Sequence, residues 1–413
     1  MIDYDDALRL LLSVAKTLPS EPVDARDAIG RVLASPLVSA ESLPPFDNSA
    51  MDGFALRAGV TPIAAGTEFD VVGGRAAGDG VAQATSGAWE IMTGARVPDG
   101  LDAIVPVEQV EILDSDENGQ PRRIRVLATV APTQHLRRAG EDVTSGAMFA
   151  SAGTVVDPAL HMLCAATGIA TLDVARRPRV ALINTGRELV DDARRALEPG
   201  QIHNSNGPFL AARLAAAGAE VVAMHTVGDD IDEFLGTLQS LPAHDVVVST
   251  GAVSMGRFDF VPDALSRIGA TTLFHKVRIR PGKPILAATV PSGAMFFGLP
   301  GNPASTAVGL RFFVEPVLRA MLGMPDETPV YLPLRAAYAK RAPLRMHLKA
   351  RVVLDGDARA CAELLGGQES FRIRPMLDAN AWAIVDADVE ALEAGARVRV
   401  ASRGHLEPLS VMA

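Results

Sequence analysis

Cysteine is almost missing from this 413-residue chain; the two present, Cys164 and Cys361, lie far apart in apolar surroundings. No disulfide framework, zinc site or redox motif can be built from that spacing, so both are expected as reduced core residues. Basic residues are outnumbered, 39 Lys and Arg against 49 Asp and Glu, for a formal charge of −10. That balance argues against a nucleic-acid binder dominated by phosphate contacts, while leaving room for a local basic pocket. No apolar run approaches the roughly 20 residues needed to cross a bilayer. The opening Met1-Ile-Asp-Tyr-Asp-Asp is acidic where a targeting segment would be basic, so the expected compartment is the cytoplasm. Phosphate-loop signatures are missing too: Lys283 is followed by Pro284 rather than Ser or Thr, and no G-x-G-x-x-G follows a strand. His203 and His225 have no metal-ligand spacing, and no nucleophilic Ser–His arrangement is legible.

What is present is an ordinary globular composition, 48% hydrophobic and 21% charged, long enough for roughly two to four domains. Residues 3–18 follow an amphipathic helical period, and a short second helix is expected over Asp24 to Ala34. The polar stretch Leu43-Pro-Pro-Phe-Asp-Asn-Ser-Ala-Met-Asp-Gly53 then reads as solvated surface or a binding loop. Residues 62–130 alternate in short segments broken by Gly, Pro, Asp and Asn, which indicates a β-rich module. A β-like segment over Met148 to Val156 and a helix from about Pro158 to Thr167 complete an N-terminal region of residues 1–176, with the inserted module at about 50–140.

From Arg177 the rhythm becomes alternating apolar β-branched runs and helical stretches, the pattern of βαβ units in a mainly parallel sheet. Strands are expected at Arg179–Ile183, Glu220–His225, Asp245–Ser249, Ile285–Thr289 and Met295–Gly298, and helices near 207–217, 231–241, 259–268 and 303–322. This α/β domain covers residues 177–326, and residues 327–413 read as short strands of a small β-barrel-like domain. The fold class is therefore multidomain α/β plus β, with a β-rich N-terminal lid region.

Ligands of open α/β sheets lie at the carboxyl ends of the strands. Four loops there are rich in glycine and polar groups: 184–188, 228–230, 250–259 and 299–303. In the last, Gly301 can take a positive φ, Asn302 suits an N-cap and Pro303 the first helical position, a junction that suits an anion. Lys276, Arg278, Arg280 and Lys283 set four cations within eight residues; if 276–280 is extended, the first three share one face. Asp52, Asp142, Glu188, Asp229 and Asp259 stand in loop-like settings, and oxygen ligands of that kind would suit magnesium arriving with a phosphate. Taken singly, such carboxylates also serve as surface or capping residues. From the residues alone the reading stops at a multidomain α/β protein that binds a phosphorylated or oxyanionic ligand with magnesium.

Seven stretches in order add a resemblance. Pro44 to Ala55, Thr93-Gly-Ala-Arg-Val-Pro98, Gly140 to Gly146, Thr185-Gly-Arg-Glu-Leu189, Thr250 to Gly256 with Asp259, Arg280-Pro-Gly-Lys-Pro284 and Gly298-Leu-Pro-Gly-Asn-Pro303 are similar to the molybdopterin molybdenumtransferases of the MoeA type and to the E domain of gephyrin. The resemblance implies an elongated homodimer whose central domain is molybdopterin-binding-like, with possible contact to the molybdopterin-adenylylating enzyme. It implies insertion of molybdate into adenylylated molybdopterin with release of AMP and a need for magnesium.

Carried over by position, it implies catalytic roles for Asp52, Thr93, Asp142, Glu188, Asp229 and Asp259, the last three as metal ligands. Substrate or anion contacts would come from Ser49, Gly251, Ser254, Lys276, Arg280, Lys283, Pro300, Gly301, Pro303, Lys349 and Ser370. The chain departs from the pattern at Lys349 (more often Arg), Glu369 (usually Gly), Arg374-Pro375 (commonly a Ser pair) and Arg187 (usually Asp). An anionic Glu369 beside an oxyanion would be repulsive unless it points away. Competing readings are molybdopterin adenylylation, a nucleotide pyrophosphatase, or a catalytically silent gephyrin-like scaffold.

Overall fold

The computed structural model describes residues 1–253, 260–340 and 342–412. At its centre is a six-stranded sheet in the spatial order Glu220–Val227, Arg179–Thr185, Val246–Thr250, Met295–Leu299, Leu286–Thr289, Thr271–His275. The first four strands run parallel and the last two pair antiparallel. Both faces are covered, so the strand residues split by alternation between two cores. Leu182, Val246, Val248, Met295 and Phe297 face the helices Asn206–Ala216 and Pro303–Gly309. Ile183, Val247 and Phe296 face Ile231–Ser240 and Val261–Arg267. The edge strand Thr271–His275 lies outside the strands that the sequence pattern predicts.

The helix expected over 303–322 forms in three pieces: Pro303–Gly309, a wide π turn Leu310–Val314, and Glu315–Met321. Pro316 lacks an N–H, so the Phe312 carbonyl four residues back loses its helical donor. The Tyr4 hydroxyl donates to that carbonyl instead, at 3.2 Å. Tyr4 belongs to the first helix, Tyr4–Val14, which buries Tyr4, Ala7 and Leu11. Those side chains join the core of the central α/β layer, not that of the N-terminal module.

The helix expected over 24–34 does not form beyond a single turn, Ala25–Asp27. Ser20–Asp24 is taken up as a strand against Thr171–Ala175, and Asp24 accepts from the Arg26 N–H to close a tight turn in its place. The β-like segment 148–156 is a strand only over Met148–Ala150. The inserted module is a six-stranded sheet around Phe54, Leu56, Val105 and Ile124.

In the C-terminal part, Arg345–Leu354 pairs with both Ala381–Val385 and Ala360–Leu364. The sheet curls through Arg397–Ser402 to Val330–Pro333, and Leu334 bridges Ala362, giving a barrel-like form. A two-residue strand from the α/β layer, Ile279–Arg280, adds parallel to the start of Arg345–Leu354. That pairing, with Trp382 and Ile384 in the α/β core, seats the C-terminal sheet beside the carboxyl-terminal loops.

Candidate functional site

Between the two layers lies a cleft of about 920 Å³. Residues 279–284, Pro300, Asn302 and Ser305 form one wall, and 338–339, 344, 346–348 and 367–371 the other. Of the residues singled out in the sequence, Arg280, Lys283, Pro300, Asn302, Glu369 and Ser370 meet here. Both Arg280 and Lys283 are exposed, and among the described residues neither has an ion-pair partner. Glu369 does not set a bare negative charge against them, because its carboxylate pairs with Arg372 at 2.9 Å. The opposite wall is largely apolar, with Leu344, Met346, Leu348 and two rings, Tyr338 and Phe371.

The expected cation stripe over 276–280 is only partly realised. Lys276 takes a left-handed φ of 72°, so the segment is not one continuous strand. From Val277 the alternation holds, with Val277 and Ile279 buried, but Arg278 turns to Asp3 at 3.5 Å. Of that stripe, Arg280 is the one that lines the cleft.

The turn before the long helix also differs from expectation. Gly301 does not take a positive φ, and its carbonyl accepts from Asn206 Nδ2 at 2.7 Å. Pro303 opens the helix and Asn302 sits at the N-cap, but without a side-chain capping bond. The Ala304 N–H is occupied by the Ser370 carbonyl at 2.9 Å, so this donor is closed to an anion. Thr306 Oγ1 donates to the Pro300 carbonyl at 2.6 Å and ties the turn to its own helix.

Along the sheet edge, Gly251 is required by space. It has φ 90°, and a Cβ would stand 2.5 Å from Thr185 Oγ1 and 2.6 Å from the Thr185 carbonyl. Thr185 Oγ1 donates to the Thr250 carbonyl, and Thr250 Oγ1 to Asn184, so the two strand ends are stitched side by side. Glu188 is half-buried and Asp229 exposed, and they follow neighbouring parallel strands joined by the Gly186 N–H to Val227 carbonyl bond. These donors are oxygen-only, which suits magnesium. No group of three metal-binding side chains occurs among the described residues, and Asp259, expected as the third ligand, lies outside them together with Ser254.

The N-terminal residues make their bonds inside their own module. Asp52 accepts from the Thr93 N–H at 2.6 Å and the Thr93 hydroxyl at 2.9 Å, and these bonds hold its carboxyl below the usual range. Asp142 is exposed on a loop whose N–H donates to the Leu43 carbonyl. Ser49 is fully buried, and its hydroxyl is spent on the Met51 carbonyl at 2.5 Å, so it supports the loop from inside.

Lys349 is 1% exposed and does not line the cleft. Its ammonium donates to the Gly367 carbonyl at 2.7 Å and the Glu369 carbonyl at 3.2 Å, and burial lowers its pKa. Arg374, at a second departure from the family pattern, pairs with Asp378 at the surface. Arg187 is exposed.

Three family descriptions match in series: MoeA N-terminal region (domain I and II) over residues 2–168, "Probable molybdopterin binding domain" over 181–320, and MoeA C-terminal region (domain IV) over 331–402. The chain is 38% identical to a molybdopterin molybdenumtransferase of Synechococcus elongatus across 97% of its own length and 100% of that protein. It belongs to the molybdopterin molybdenumtransferase family. A Bacillus subtilis molybdopterin molybdenumtransferase is 32% identical over 97% of this chain and 93% of its own. The molybdopterin biosynthesis moeA protein of Pyrococcus horikoshii superposes with a TM-score of 0.79 at 28% identity, covering 97% of this chain and 99% of that one.

For a member of this transferase family, sequence reading missed Ser305, Tyr338, Gln368 and Phe371 on the cleft walls. Ser305 stood two residues beyond a motif already singled out and was within reach. The others lie on C-terminal segments whose approach to the α/β layer leaves no local signature.

Proposed function

We propose that this chain inserts molybdate into adenylylated molybdopterin and releases AMP, and that the cleft between the α/β and C-terminal layers holds the anionic parts of the substrates. The observation that carries this reading is the pair of exposed cations, Arg280 and Lys283, which have no ion-pair partner among the described residues and lie in a cleft with Leu344, Met346, Leu348 and Phe371 on the opposite wall. Apolar side chains on the facing wall lower the local dielectric and strengthen the pull of these cations on an oxyanion or phosphate, and preorganised cations need no rearrangement as charge develops. Ser305 and Ser370 lie beside them on the two walls.

Glu188 and Asp229, with Asp259, would hold magnesium, which offsets negative charge on the phosphoanhydride that breaks. Asp52 accepts two bonds from Thr93, which hold its carboxylate in one orientation at the edge of the N-terminal module. Among the described residues no hydrogen bond ties Asp52, Thr93 or Asp142 to the α/β layer of their own chain, and we assign them to the α/β edge of a second copy in a homodimer. Such an assembly would work in the cytoplasm and receive its substrate from the molybdopterin-adenylylating enzyme.

The test is a single-turnover assay with adenylylated molybdopterin, magnesium and molybdate, reading AMP and active cofactor. Arg280→Ala and Lys283→Ala should each lower the molybdate-dependent rate by about 10- to 100-fold, the range for one lost charge-assisted bond. Full activity in the double variant would remove the cleft from the mechanism.

A further inference from the structure

Loop 366–371 is fastened on two sides. On the first, the buried Lys349 ammonium donates to the Gly367 and Glu369 carbonyls, at 2.7 and 3.2 Å. The Gln368 amide returns toward the same strand: its Oε1 accepts from the Lys349 N–H at 3.0 Å, and its Nε2 donates to the Lys349 carbonyl at 2.9 Å and the Leu365 carbonyl at 2.7 Å. On the second side the Ser370 carbonyl accepts from the Ala304 N–H at 2.9 Å, across to the helix that follows the Pro-Gly-Asn-Pro turn.

An ammonium has three donors. Here two are committed to carbonyls within the protein, on a side chain 1% exposed and off the cleft wall. An oxyanion ligand would instead face the cleft, as Arg280 and Lys283 do. Gln368 has the matching geometry for a brace, since its amide supplies one acceptor and two donors and all three are used.

We propose that Lys349 and Gln368 are positioning residues: they lock loop 366–371 onto the strand Arg345–Leu354, and through Ser370 they set the gap of the cleft, while the oxyanion is held by other groups. This deepens the molybdate-insertion reading and rests on it.

The experiment uses the full chain with Lys349→Met and Gln368→Leu. Amide hydrogen exchange is read at Ala304 and Leu365 without substrate, and the molybdate dependence of cofactor formation is then measured. Exchange at Ala304 should rise about tenfold in both variants, as expected for losing bonds that hold its acceptor. The molybdate half-saturation should rise by a similar factor in both, with the rate at saturating molybdate kept within about twofold. A general loss of structure would not produce that split.

The proposal is overturned if Lys349→Met raises the half-saturation while Gln368→Leu leaves both it and Ala304 exchange unchanged; Lys349 would then be a direct ligand. If Lys349→Met does not fold, Gln368→Leu decides alone, because it removes the brace and leaves every charge in place. The exchange measurement needs no turnover, so a failed brace and a failed functional reading give different results.

Discussion

Two glycines at the sheet edge, Gly251 and Gly301, should respond in opposite ways to the same change. At Gly251 the backbone has φ 90°, and an added Cβ would meet Thr185 Oγ1 at 2.5 Å and its carbonyl oxygen at 2.6 Å. A left-handed conformation costs an alanine about 1–2 kcal/mol. Overpacking adds about 1–3 kcal/mol, because the carbonyl is strand backbone and cannot swing aside. Gly251→Ala should therefore lose about 2–5 kcal/mol, or escape that loss by displacing the loop and its site residues. Gly301 is exposed, lies outside the left-handed region, and a Cβ there would find its nearest atom, the Gly251 Cα, at an ordinary 3.8 Å. Gly301→Ala should stay within about 0.5 kcal/mol, or gain slightly by stiffening the unfolded chain. Urea unfolding of both variants, with molybdate-dependent cofactor formation for Gly251→Ala, separates the cases. Equal stabilities for the two variants, or a fully active and fully stable Gly251→Ala, would refute the steric reasoning.

Three further outcomes follow from buried and bonded groups. His347 is 1% exposed and among the described residues neither ring nitrogen has a hydrogen-bond partner; burial, with Arg345 and Arg399 nearby, holds its pKa well below the ordinary value of 6.5. Its stabilising effect is therefore present above that ordinary value and lost as pH falls. His347→Leu should remove up to about 1.4 kcal/mol per pH unit of acid lability, read by urea unfolding at pH 7, 6 and 5. Glu315 is fully buried between Arg213 at 3.3 Å and Arg311 at 3.6 Å, with the His405 N–H at 2.8 Å, and Glu315→Ala should destabilise by about 3–5 kcal/mol in thermal or urea unfolding. Removing the hydroxyl donor with Thr93→Val should move the Asp52 titration upward, toward the ordinary carboxylate range, in a carbon-detected NMR titration; no change would mean the bond is not formed in solution.

The elements with long periodic patterns were the legible ones. Arg179–Thr185 and Val246–Thr250 announce themselves because a strand buried on both faces must be apolar almost throughout, and Asn206–Ala216 because a helix covering a sheet needs one apolar stripe. The same logic misread residues 24–34, where the local helical pattern lost to bridges of Val32 with Val155 and Leu33 with Val174, more than 100 residues away. It also missed Thr271–His275 on the sheet edge, which is only partly buried and so carries a weak signal.

By itself the sequence determined the residue types at the strand ends: glycines where backbones approach, cations at Arg280 and Lys283, and carboxylates on the loops around them. Those depend on local backbone and side-chain chemistry, and so survive in one dimension. Which groups meet was decided only by the tertiary structure. The pairing of Ile279–Arg280 with the C-terminal sheet brings Ser370 to the Pro-Gly-Asn-Pro turn, spends the Ala304 N–H on a carbonyl and buries Lys349 beneath the loop it holds. A lysine that binds an anion and one that braces a loop look alike in sequence, because the difference lies in which oxygen its ammonium reaches.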